Sequence, residues 1–486
     1  MKFNSVKINR RTVIKSIGAS LGVAATASLY GCSDSSSVKP AVVTAEKKPL
    51  GIIGKDGKRV LPWSNWSGNL KAQPSIRAVP KNEQQLVDLI KNSKQTIRCV
   101  GAGHSWTPLV PTEDTLISLA RFRGVKKVDS STMEAEIGAG TLLSQIGEPL
   151  WQQGVSLRNM PDIDTQALAG AIATSTHGTG IGYGSLSSDV SKMTIVDAKG
   201  EVHNCSATQN SELYNAARNN LGCLGVVTSA TLKVEKAYKL EEKSWVMPLE
   251  EALENAPELV TKNRNLEFFA FPYADYAVGL SLNEVPITTP DVEEVQQLEG
   301  ENPLMTLRSL GDYTESFSWL RSFMLNRAIS GIEPATRVNK SYRIFGNIRD
   351  IRFTEMEYSI PAESGPQCLK EILDTIKKHN IDVIFPIEYR YVKGDDVWLS
   401  PFYKRDTCSI SCHNFHDRDY KKYFAAVEPI FLKYNGRPHW GKVHTLTAAE
   451  FSTKYSMLNE FLKVRKEYDP EGLFLNAHIK QILGVS

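Results

Sequence analysis

Four side chains in the second half of the sequence have types and spacing that suit chemistry on a small polar molecule. Glu388 and Arg390 are separated by one residue in a strand-like segment, so both project from the same face. Lys442 lies in an otherwise apolar and aromatic stretch, where burial would favour proton transfer, and His413 is a weaker candidate for the same task. The alternatives are a surface ion pair, a solvated lysine and a histidine packed in the core. Together the four supply a carboxylate, a fixed positive charge and two groups able to move protons.

A glycine-rich loop in the first half of the chain could hold an anion. The run Val100–Ser105 follows a predicted strand, and its glycines let consecutive backbone N–H groups turn toward a pyrophosphate. It is not the Rossmann dinucleotide fingerprint, because the third glycine is missing and no helical pattern follows at once. A tight glycine turn that exposes His104 is the alternative.

Two further loops are built from small residues. Ala169–Gly180 places glycine, alanine, serine and threonine at most of its positions, and Asn220–Val227 runs from a glycine-containing loop into a strand. A segment with so little side-chain bulk fills a core poorly, yet it can lie flat against a planar cofactor or its diphosphate. A flexible surface loop is the alternative for Ala169–Gly180, and its apolar beginning and lack of charge argue against that.

The three loops, in this order and at this spacing, resemble the FAD-binding domain of the vanillyl-alcohol oxidase type. Within that group the chain is similar to the L-gulonolactone, D-arabinono-1,4-lactone and alditol oxidases. The resemblance extends from about residue 60 to residue 482. It includes five further motifs, which are Trp63–Gly68, Glu357–Pro361, Glu388–Arg390, Arg437–Lys442 and Asp469–Gly472.

The resemblance implies an α+β fold in which a two-part FAD-binding domain carries a second α+β substrate domain, or cap. The expected boundaries are a signal at 1–32, a tether at 33–60, the FAD-binding domain at 61–237, the cap at 238–425 and a C-terminal helical segment at 426–486 that completes the active site.

The resemblance also implies that FAD is the cofactor and that it is covalently attached through His104. Residues 101–106 and 170–180 are expected around the diphosphate and ribityl chain, and residues 225–227 at the adenine end. The expected cofactor-binding residues are Gly101, Ala102, Gly103, His104, Ser105, Trp106, Asp162, Gly170, Ala173, Thr176, His177, Gly178, Thr179, Gly180, Gly225 and Val227.

The implied reaction is oxidation of a hydroxyl group on an aldonolactone or alditol, with hydride transfer to the flavin. In relatives the Glu-x-Arg pair faces substrate and flavin, so Glu388 is expected to bind hydroxyls and Arg390 to supply positive charge. Lys442 is expected beside the reacting hydroxyl. O₂ is the expected electron acceptor, and a periplasmic dehydrogenase that reduces a quinone or cytochrome is one alternative. A non-catalytic flavin- or sugar-binding lipoprotein is the other.

The N-terminus predicts export. Arg10–Arg11 precedes a short, weakly apolar run at Ile17–Leu29, which is typical of a twin-arginine signal rather than a membrane span. The next residues resemble a lipoprotein cleavage site with Cys32 as the acylated residue, and a conventional signal with an incidental cysteine is the alternative. The expected location is the periplasm, with a lipid anchor as the only membrane attachment.

Composition argues against a nucleic-acid-binding protein, and the cysteine spacing argues against a zinc site. The net charge of +3 is too small for a nucleic-acid partner, and 41% apolar with 23% charged residues is ordinary for a globular chain. Cys408 and Cys412, with His413 and His416 nearby, lack a second ligand pair of zinc-site spacing. No metal site is expected.

The elements that must position these residues follow from periodicity. In the first domain the patterns predict a helix at 80–94 with an Asn82/Gln85 capping box, strands at 96–100, 132–137 and 226–234, a helix at 141–153 interrupted by Pro149, a hairpin at 193–205 and a helix at 210–219. Later they predict strands near 266–284 and 342–360, a long surface loop with acids near 290–302, and helices at 367–378, 419–434 and 448–466.

Overall fold

The computed structural model describes residues 52–53, 59–293, 302–347 and 351–485. The predicted export signal, Cys32 and most of the predicted tether lie outside these residues, as does the part of the predicted acidic loop from 294 to 301. Within the described ranges, no helix combines the length and apolar character needed to cross a membrane.

Strands and helices are mixed throughout the described chain. The strands are β1 Ile52–Ile53, β2 Arg59–Val60, β3 Trp63–Ser64, β4 Lys71–Ala72, β5 Ile76–Ala78, β6 Ile97–Val100, β7 Thr115–Ser118, β8 Val125–Asp129, β9 Glu134–Gly138, β10 Val155–Leu157, β11 Val190–Val196, β12 Val202–Ser206, β13 Val226–Lys236, β14 Lys239–Pro248, β15 Asn265–Ala270, β16 Tyr276–Val285, β17 Thr336–Lys340, β18 Phe353–Pro361, β19 Ile387–Val392, β20 Thr407–Phe415 and β21 Arg437–Pro438. The helices are α1 Glu83–Asn92, α2 Gly147–Trp151, α3 Leu168–Ala173, α4 Ser211–Ala217, α5 Leu249–Lys262, α6 Pro303–Thr314, α7 Ser318–Ile329, α8 Ser341–Phe345, α9 Gly365–Lys378, α10 Lys421–Lys433, α11 Ala448–Lys454, α12 Leu458–Tyr468 and α13 Ala477–Leu483.

The first part of the chain builds two sheets that carry the glycine loops. β5, β7 and β6 form a parallel sheet in that order, and α1 is the crossover between β5 and β6. Leu86, Val87 and Ile90 bury one face of α1. The second sheet is antiparallel, with the order β12-β11-β13-β9-β8 and with β10 paired to β13. The first glycine loop follows directly from β6.

The second part of the chain is dominated by one antiparallel sheet with the order β17-β14-β16-β15-β19-β20-β18-β21. Helix α9 packs on one face of it, where a Cβ at Gly365 would lie 2.8 Å from the Cys408 sulfur. Because side chains alternate along a strand, Ser409, Ser411 and His413 project from the opposite face of β20. That inner face is turned toward the glycine loops.

The C-terminal segment returns to the first part of the chain. The Ile97 N–H donates to the Leu473 carbonyl at 2.8 Å, and the Ala198 N–H donates to the Tyr468 carbonyl at 3.1 Å. Most buried apolar residues form one continuous core that runs through both sheet systems and these helices. A second, small cluster consists of Trp63, Ala72, Val100 and Leu116.

Most predicted elements are confirmed, and four differ locally. The helix predicted at 141–153 with an interruption at Pro149 is a 3₁₀ turn at Leu143–Gln145 followed by α2, and Pro149 lies in the first turn of α2. The helix predicted at 448–466 is two helices, because Tyr455 leaves helical geometry and packs its ring 5.0 Å from that of Trp440. The segment predicted as strand from 342 begins with helix α8. Asn82 caps α1, but the Gln85 side chain accepts from the Lys81 N–H and so does not complete a capping box.

Candidate active site

A cavity of about 400 Å³ lies between the glycine loops and the inner face of the eight-stranded sheet. The predicted site residues that line it are Gly101, Ala102, Gly103, His104, Ser105, Trp106, Asp162, Gly170, Ala173, Thr176, His177, Gly225, Val227, Glu388, Arg390, His413 and Lys442. The structure therefore brings together both the predicted cofactor loops and the predicted catalytic residues.

Three residues of the predicted cofactor set, Gly178, Thr179 and Gly180, do not line this cavity. The Thr179 hydroxyl bonds to the Leu266 carbonyl, and the Gly180 N–H donates to the Tyr391 carbonyl at 2.7 Å. The end of the loop thus fastens to β15 and β19, which brings the two parts of the chain together beside the cavity.

The first glycine loop is held from both sides. Gly103 has a φ of +74°, a conformation that favours glycine. The Asn65 side chain donates to the Ser105 carbonyl at 2.9 Å, and the Trp106 N–H donates to the Gly441 carbonyl at 2.7 Å. The loop is therefore fixed between the N-terminal turn and the segment that carries Lys442.

Helix α3 presents Gly170 to open space. Gly170 lines the cavity, and a Cβ added there would meet no atom within 4 Å. Glycine inside a helix costs about 0.5–1 kcal/mol relative to alanine, so a larger residue should not weaken the helix itself.

Gly170→Leu is expected to give a folded protein that retains little flavin. The leucine side chain would project into the cavity, and overpacking of this kind costs about 1–3 kcal/mol, which lowers the affinity for flavin by about 5- to 150-fold. The measurement is the flavin-to-protein ratio after purification, with circular dichroism to verify the fold. Gly182→Leu is the matched control, because Gly182 also has open space around it but does not line the cavity. Equal flavin content in the two variants would contradict this placement of the cofactor.

The inner face of the sheet carries a cluster of charged side chains. Glu388 and Arg390 lie on β19 opposite Ser411 and Ser409 of β20, and Glu357 of β18 also lies opposite Ser411. The short serine side chains leave room for Arg390 to cross the middle strand. One of its terminal nitrogens lies 3.1 Å from a Glu388 oxygen and 3.7 Å from a Glu357 oxygen.

Glu357 lies at the centre of this cluster. One carboxylate oxygen is 2.6 Å from His177 Nε2 and accepts a hydrogen bond from the Ser409 hydroxyl at 2.7 Å. Burial alone would raise the pKa of Glu357, but His177, His439 and Arg390 lower it well below the ordinary range. Glu357 is therefore ionised at neutral pH.

Lys442 is paired rather than isolated. Its ammonium contacts Glu355, lies 3.9 Å from a Glu357 oxygen and sits 4.4 Å above the centre of the Trp106 ring. The second Glu355 oxygen lies 3.6 Å from His413 Nε2. Although burial opposes it, Lys442 and His413 lower the pKa of Glu355 to about 2. Glu355 is thus an ionised bridge between an ammonium and an imidazole.

His413 faces the cavity and not a metal-binding cluster. Its Nδ1 lies 3.3 Å from the Pro386 carbonyl, and its ring stacks on Phe385 with centroids 5.2 Å apart. Cys408 and Cys412 project from the other face of β20, where burial raises the pKa of the Cys412 thiol to about 12.

His104 is held as a neutral ring in the cavity wall. Its Nε2 lies 3.1 Å from the Thr165 hydroxyl, and its ring stacks on Trp66 with centroids 5.0 Å apart. Burial, followed by the charge of Lys442, lowers the pKa of His104 to about 4. Its Nδ1 is buried and has no hydrogen-bond partner among the described residues.

Glu355 and Glu267 were not identified from the sequence, and Glu357 was named only as the first residue of the motif Glu357–Pro361, with no role. Glu355 and Glu357 have the same alternate spacing as Glu388 and Arg390, which is the signal that could have identified them. Glu267 lies opposite Arg390 on β15. Burial, and then the charge of Glu388, raises the pKa of Glu267 well above the ordinary range.

The cavity fits a planar cofactor that carries a diphosphate. Small-residue loops form one wall, and two buried nitrogens that line the cavity, His104 Nδ1 and Arg390 Nε, have no partner among the described residues. Asp162 lines the same cavity and accepts from the Asn347 side chain at 2.6 Å. FAD has the flat ring system, hydroxylated chain and diphosphate that such walls would hold.

Comparison with known proteins agrees with this fold and cofactor. A profile described as FAD binding domain matches residues 74–206. Cholesterol oxidase from Brevibacterium sterolicum superposes with a TM-score of 0.73 at 16% sequence identity, over 90% of this chain and 100% of that chain. The fold and site define an FAD-dependent oxidoreductase.

The particular family follows from the second part of the chain. A profile described as D-arabinono-1,4-lactone oxidase matches residues 230–482. The chain is 36% identical to the L-gulono-1,4-lactone dehydrogenase of Mycobacterium tuberculosis, over 87% of this chain and 99% of that protein. It is 28% identical to the mouse L-gulonolactone oxidase, over 88% of this chain and 99% of that protein. This chain belongs to the D-arabinono-1,4-lactone oxidase family.

Proposed function

We propose that the protein oxidises a hydroxyl group of an aldonolactone, with FAD attached covalently to His104. The buried charge cluster is the observation that carries this proposal. It places Arg390, two ionised glutamates and Lys442 on the cavity wall opposite the glycine loops. The relatives with the greatest similarity reported above are named for lactone substrates, which favours a lactone over an alditol.

Arg390 is the fixed positive charge of the site. Burial opposes its charge, but Glu388 and Glu357 raise the pKa of Arg390 above its ordinary value. Glu267, which lies opposite Arg390 in the sheet, also contributes to this rise in pKa, although less than Glu388 and Glu357 do. Arg390 can therefore donate hydrogen bonds to a substrate oxygen, and Glu388 can accept them from neighbouring hydroxyls.

The hydroxyl proton is assigned to the group formed by Lys442, Glu355 and His413. Bound FAD supplies the acceptor for the hydride. Lys442 can orient the reacting hydroxyl by hydrogen bonding, and the Glu355 carboxylate lies between the ammonium and the imidazole. A proton can pass from the hydroxyl to His413 Nε2 by way of Glu355 when His413 is the neutral imidazole that keeps its one proton on Nδ1, beside the Pro386 carbonyl.

The covalent link has support from the local chemistry of His104. A neutral imidazole with one nitrogen bonded to Thr165 and the other without a partner among the described residues would have a lone pair able to form a C–N bond with the flavin ring methyl. The methyl would lose a proton, the flavin ring would take up the electron pair, and the proposed acceptor O₂ would reoxidise it. The stacked Trp66 ring limits rotation of the imidazole.

Export and lipid attachment are proposed from the N-terminal sequence. Arg10–Arg11, the apolar run Ile17–Leu29 and Cys32 support a twin-arginine lipoprotein signal and a periplasmic, membrane-anchored enzyme. Mass spectrometry of the mature N-terminus tests this, because acylation adds a defined mass to Cys32. O₂ is proposed as the electron acceptor.

Anaerobic flavin reduction tests the function. L-gulono-1,4-lactone or D-arabinono-1,4-lactone is expected to bleach the oxidised flavin absorbance within seconds, whereas the corresponding aldonic acid should not. Reduction by xylitol or sorbitol but by neither lactone would overturn the proposed substrate class. Air is then admitted, and rapid recovery of the absorbance with release of peroxide is expected. If the flavin absorbance recovers slowly in air but quickly with a quinone or cytochrome, then that quinone or cytochrome, and not O₂, is the electron acceptor.

A further inference from the structure

Helices α6 and α7 form a hairpin with an unusual surface. The three most exposed large apolar side chains in the described part of the chain are Tyr313, Trp319 and Phe323, with 85%, 70% and 66% of their surface accessible. Phe317, between the helices, is 54% exposed. Trp319 and Phe323 are four residues apart on one face of α7. We name these four side chains the aromatic face.

The hairpin presents this face from a rigid base. Leu307 and Leu310 of α6 and Leu325 of α7 are buried against the cap. The buried Arg321 pairs with Asp382 at 2.6 Å. The aromatic side chains thus project from helices whose opposite faces are packed.

The hairpin begins at the cavity. Leu304, in the first turn of α6, lines the cavity wall. The guanidinium of Arg308 lies 5.4 Å from the centre of the Phe415 ring, and Phe415 is the strand partner of Phe353. Phe353 lines the cavity and packs 5.2 Å from Trp66, near the start of the described chain. Arg308 of the hairpin and Trp66 of the N-terminal segment therefore lie at the same end of the paired strands β18 and β20.

We propose that the aromatic face docks into the interfacial region of a lipid bilayer. Tryptophan and tyrosine are the side chains enriched at the membrane–water interface, because each joins an apolar ring to a polar group. The proposal uses the proposed lipid attachment at Cys32. From Cys32 to Ile52 the chain has 20 residues, which reach at most ~70 Å when extended. A protein anchored at Cys32 therefore stays close enough to the bilayer for the aromatic face to contact it.

Charges near the face indicate which membrane to use as a probe. Glu315 lies beside the aromatic residues and is exposed, and Asp312 is paired with Arg418. An anionic bilayer would repel the unpaired carboxylate. The docking therefore depends on aromatic insertion, and vesicles of zwitterionic phosphatidylcholine are the appropriate probe.

Vesicle flotation of the FAD-loaded chain from residue 33, which carries no lipid and keeps every described residue, tests the proposal. The wild-type chain is expected to float with the vesicles, and Trp319→Ser/Phe323→Ser is expected to lower the partition coefficient by about tenfold or more. Val202→Ser/Ile287→Ser, which removes two exposed apolar side chains elsewhere, should float like wild type. Both variants should keep wild-type turnover of a soluble lactone.

Three results would overturn the proposal. The first is a wild-type chain that does not float, and the second is an aromatic variant that floats as well as wild type. The third is a wild-type dimer in analytical ultracentrifugation that Trp319→Ser/Phe323→Ser converts to a monomer, which would make the face an interface between two copies. Flotation of this chain depends neither on turnover nor on acylation. An error in the proposed substrate would appear in the flavin-reduction experiment, and an error in the proposed acylation of Cys32 would appear in the mass spectrum, so both are distinguishable from failure of this proposal.

Discussion

Arg390→Met is expected to lower kcat/KM for the lactone by about 10³-fold while the protein remains folded. Removal of the guanidinium leaves Glu388 and Glu357 buried side by side without their shared cation. Loss of one partner from a buried ion pair costs about 3–5 kcal/mol. Loss of a preorganised charge at the reacting centre lowers kcat by about 10²–10³-fold. Steady-state kinetics and the rate of anaerobic flavin reduction measure the effect, expressed per bound flavin.

Arg390→Lys separates charge from geometry. A lysine restores the positive charge but cannot reach two carboxylates with a planar fork, so partial recovery is expected, with kcat/KM between those of wild type and Arg390→Met. Recovery to the wild-type value would mean that charge alone suffices.

Arg337→Met is the matched control for a buried arginine. Arg337 forms a two-point ion pair with Glu242 at 2.9 and 2.8 Å, and neither residue lines the cavity. This variant should lose stability in denaturant but keep kcat per bound flavin. If both variants lost activity equally, or if Arg390→Met stayed within tenfold of wild type, Arg390 would have no special part in the reaction.

The position of Arg390 was predictable because it depends on local geometry alone. Alternation along a strand places Glu388 and Arg390 on one face whatever the strand pairs with. The role of Glu355 was not predictable, because it depends on the pairing of β18 with β20, which sets Glu355 opposite His413. That pairing joins segments about 60 residues apart, and no local pattern encodes it.

The same contrast holds for the fold. Helix α1 and the hairpin β11–β12 were visible in periodicity and in the turn at Gly200, where φ is +73°. The hairpin α6–α7 was missed, since Pro303 and the preceding acids resemble a surface loop and its exposed aromatic residues blur the apolar period. Pro303 instead occupies the first turn of α6, where proline is well tolerated.

His104→Ala is expected to release the flavin from the chain completely. When the wild-type protein is precipitated with acid, the yellow colour should stay in the pellet, and with His104→Ala it should move to the supernatant. The reason is that the only covalent link is expected at this imidazole, and the remaining contacts are lost on denaturation. Absorbance and fluorescence of both fractions measure the distribution.

His177→Gln is the matched control for His104→Ala. His177 also lines the cavity, but both of its ring nitrogens contact other groups of the protein. Its Nε2 contacts Glu357 at 2.6 Å and its Nδ1 lies 2.8 Å from the Gly178 carbonyl. An imidazole without a free nitrogen cannot bond to the flavin, so colour should stay with the His177→Gln chain even if activity falls.

Colour in the supernatant for wild type would exclude any covalent link and leave the FAD-binding fold unaffected. Colour retained by His104→Ala would place the link on another side chain, and colour released by His177→Gln alone would transfer it to His177, whose contacts would then have to break when flavin binds.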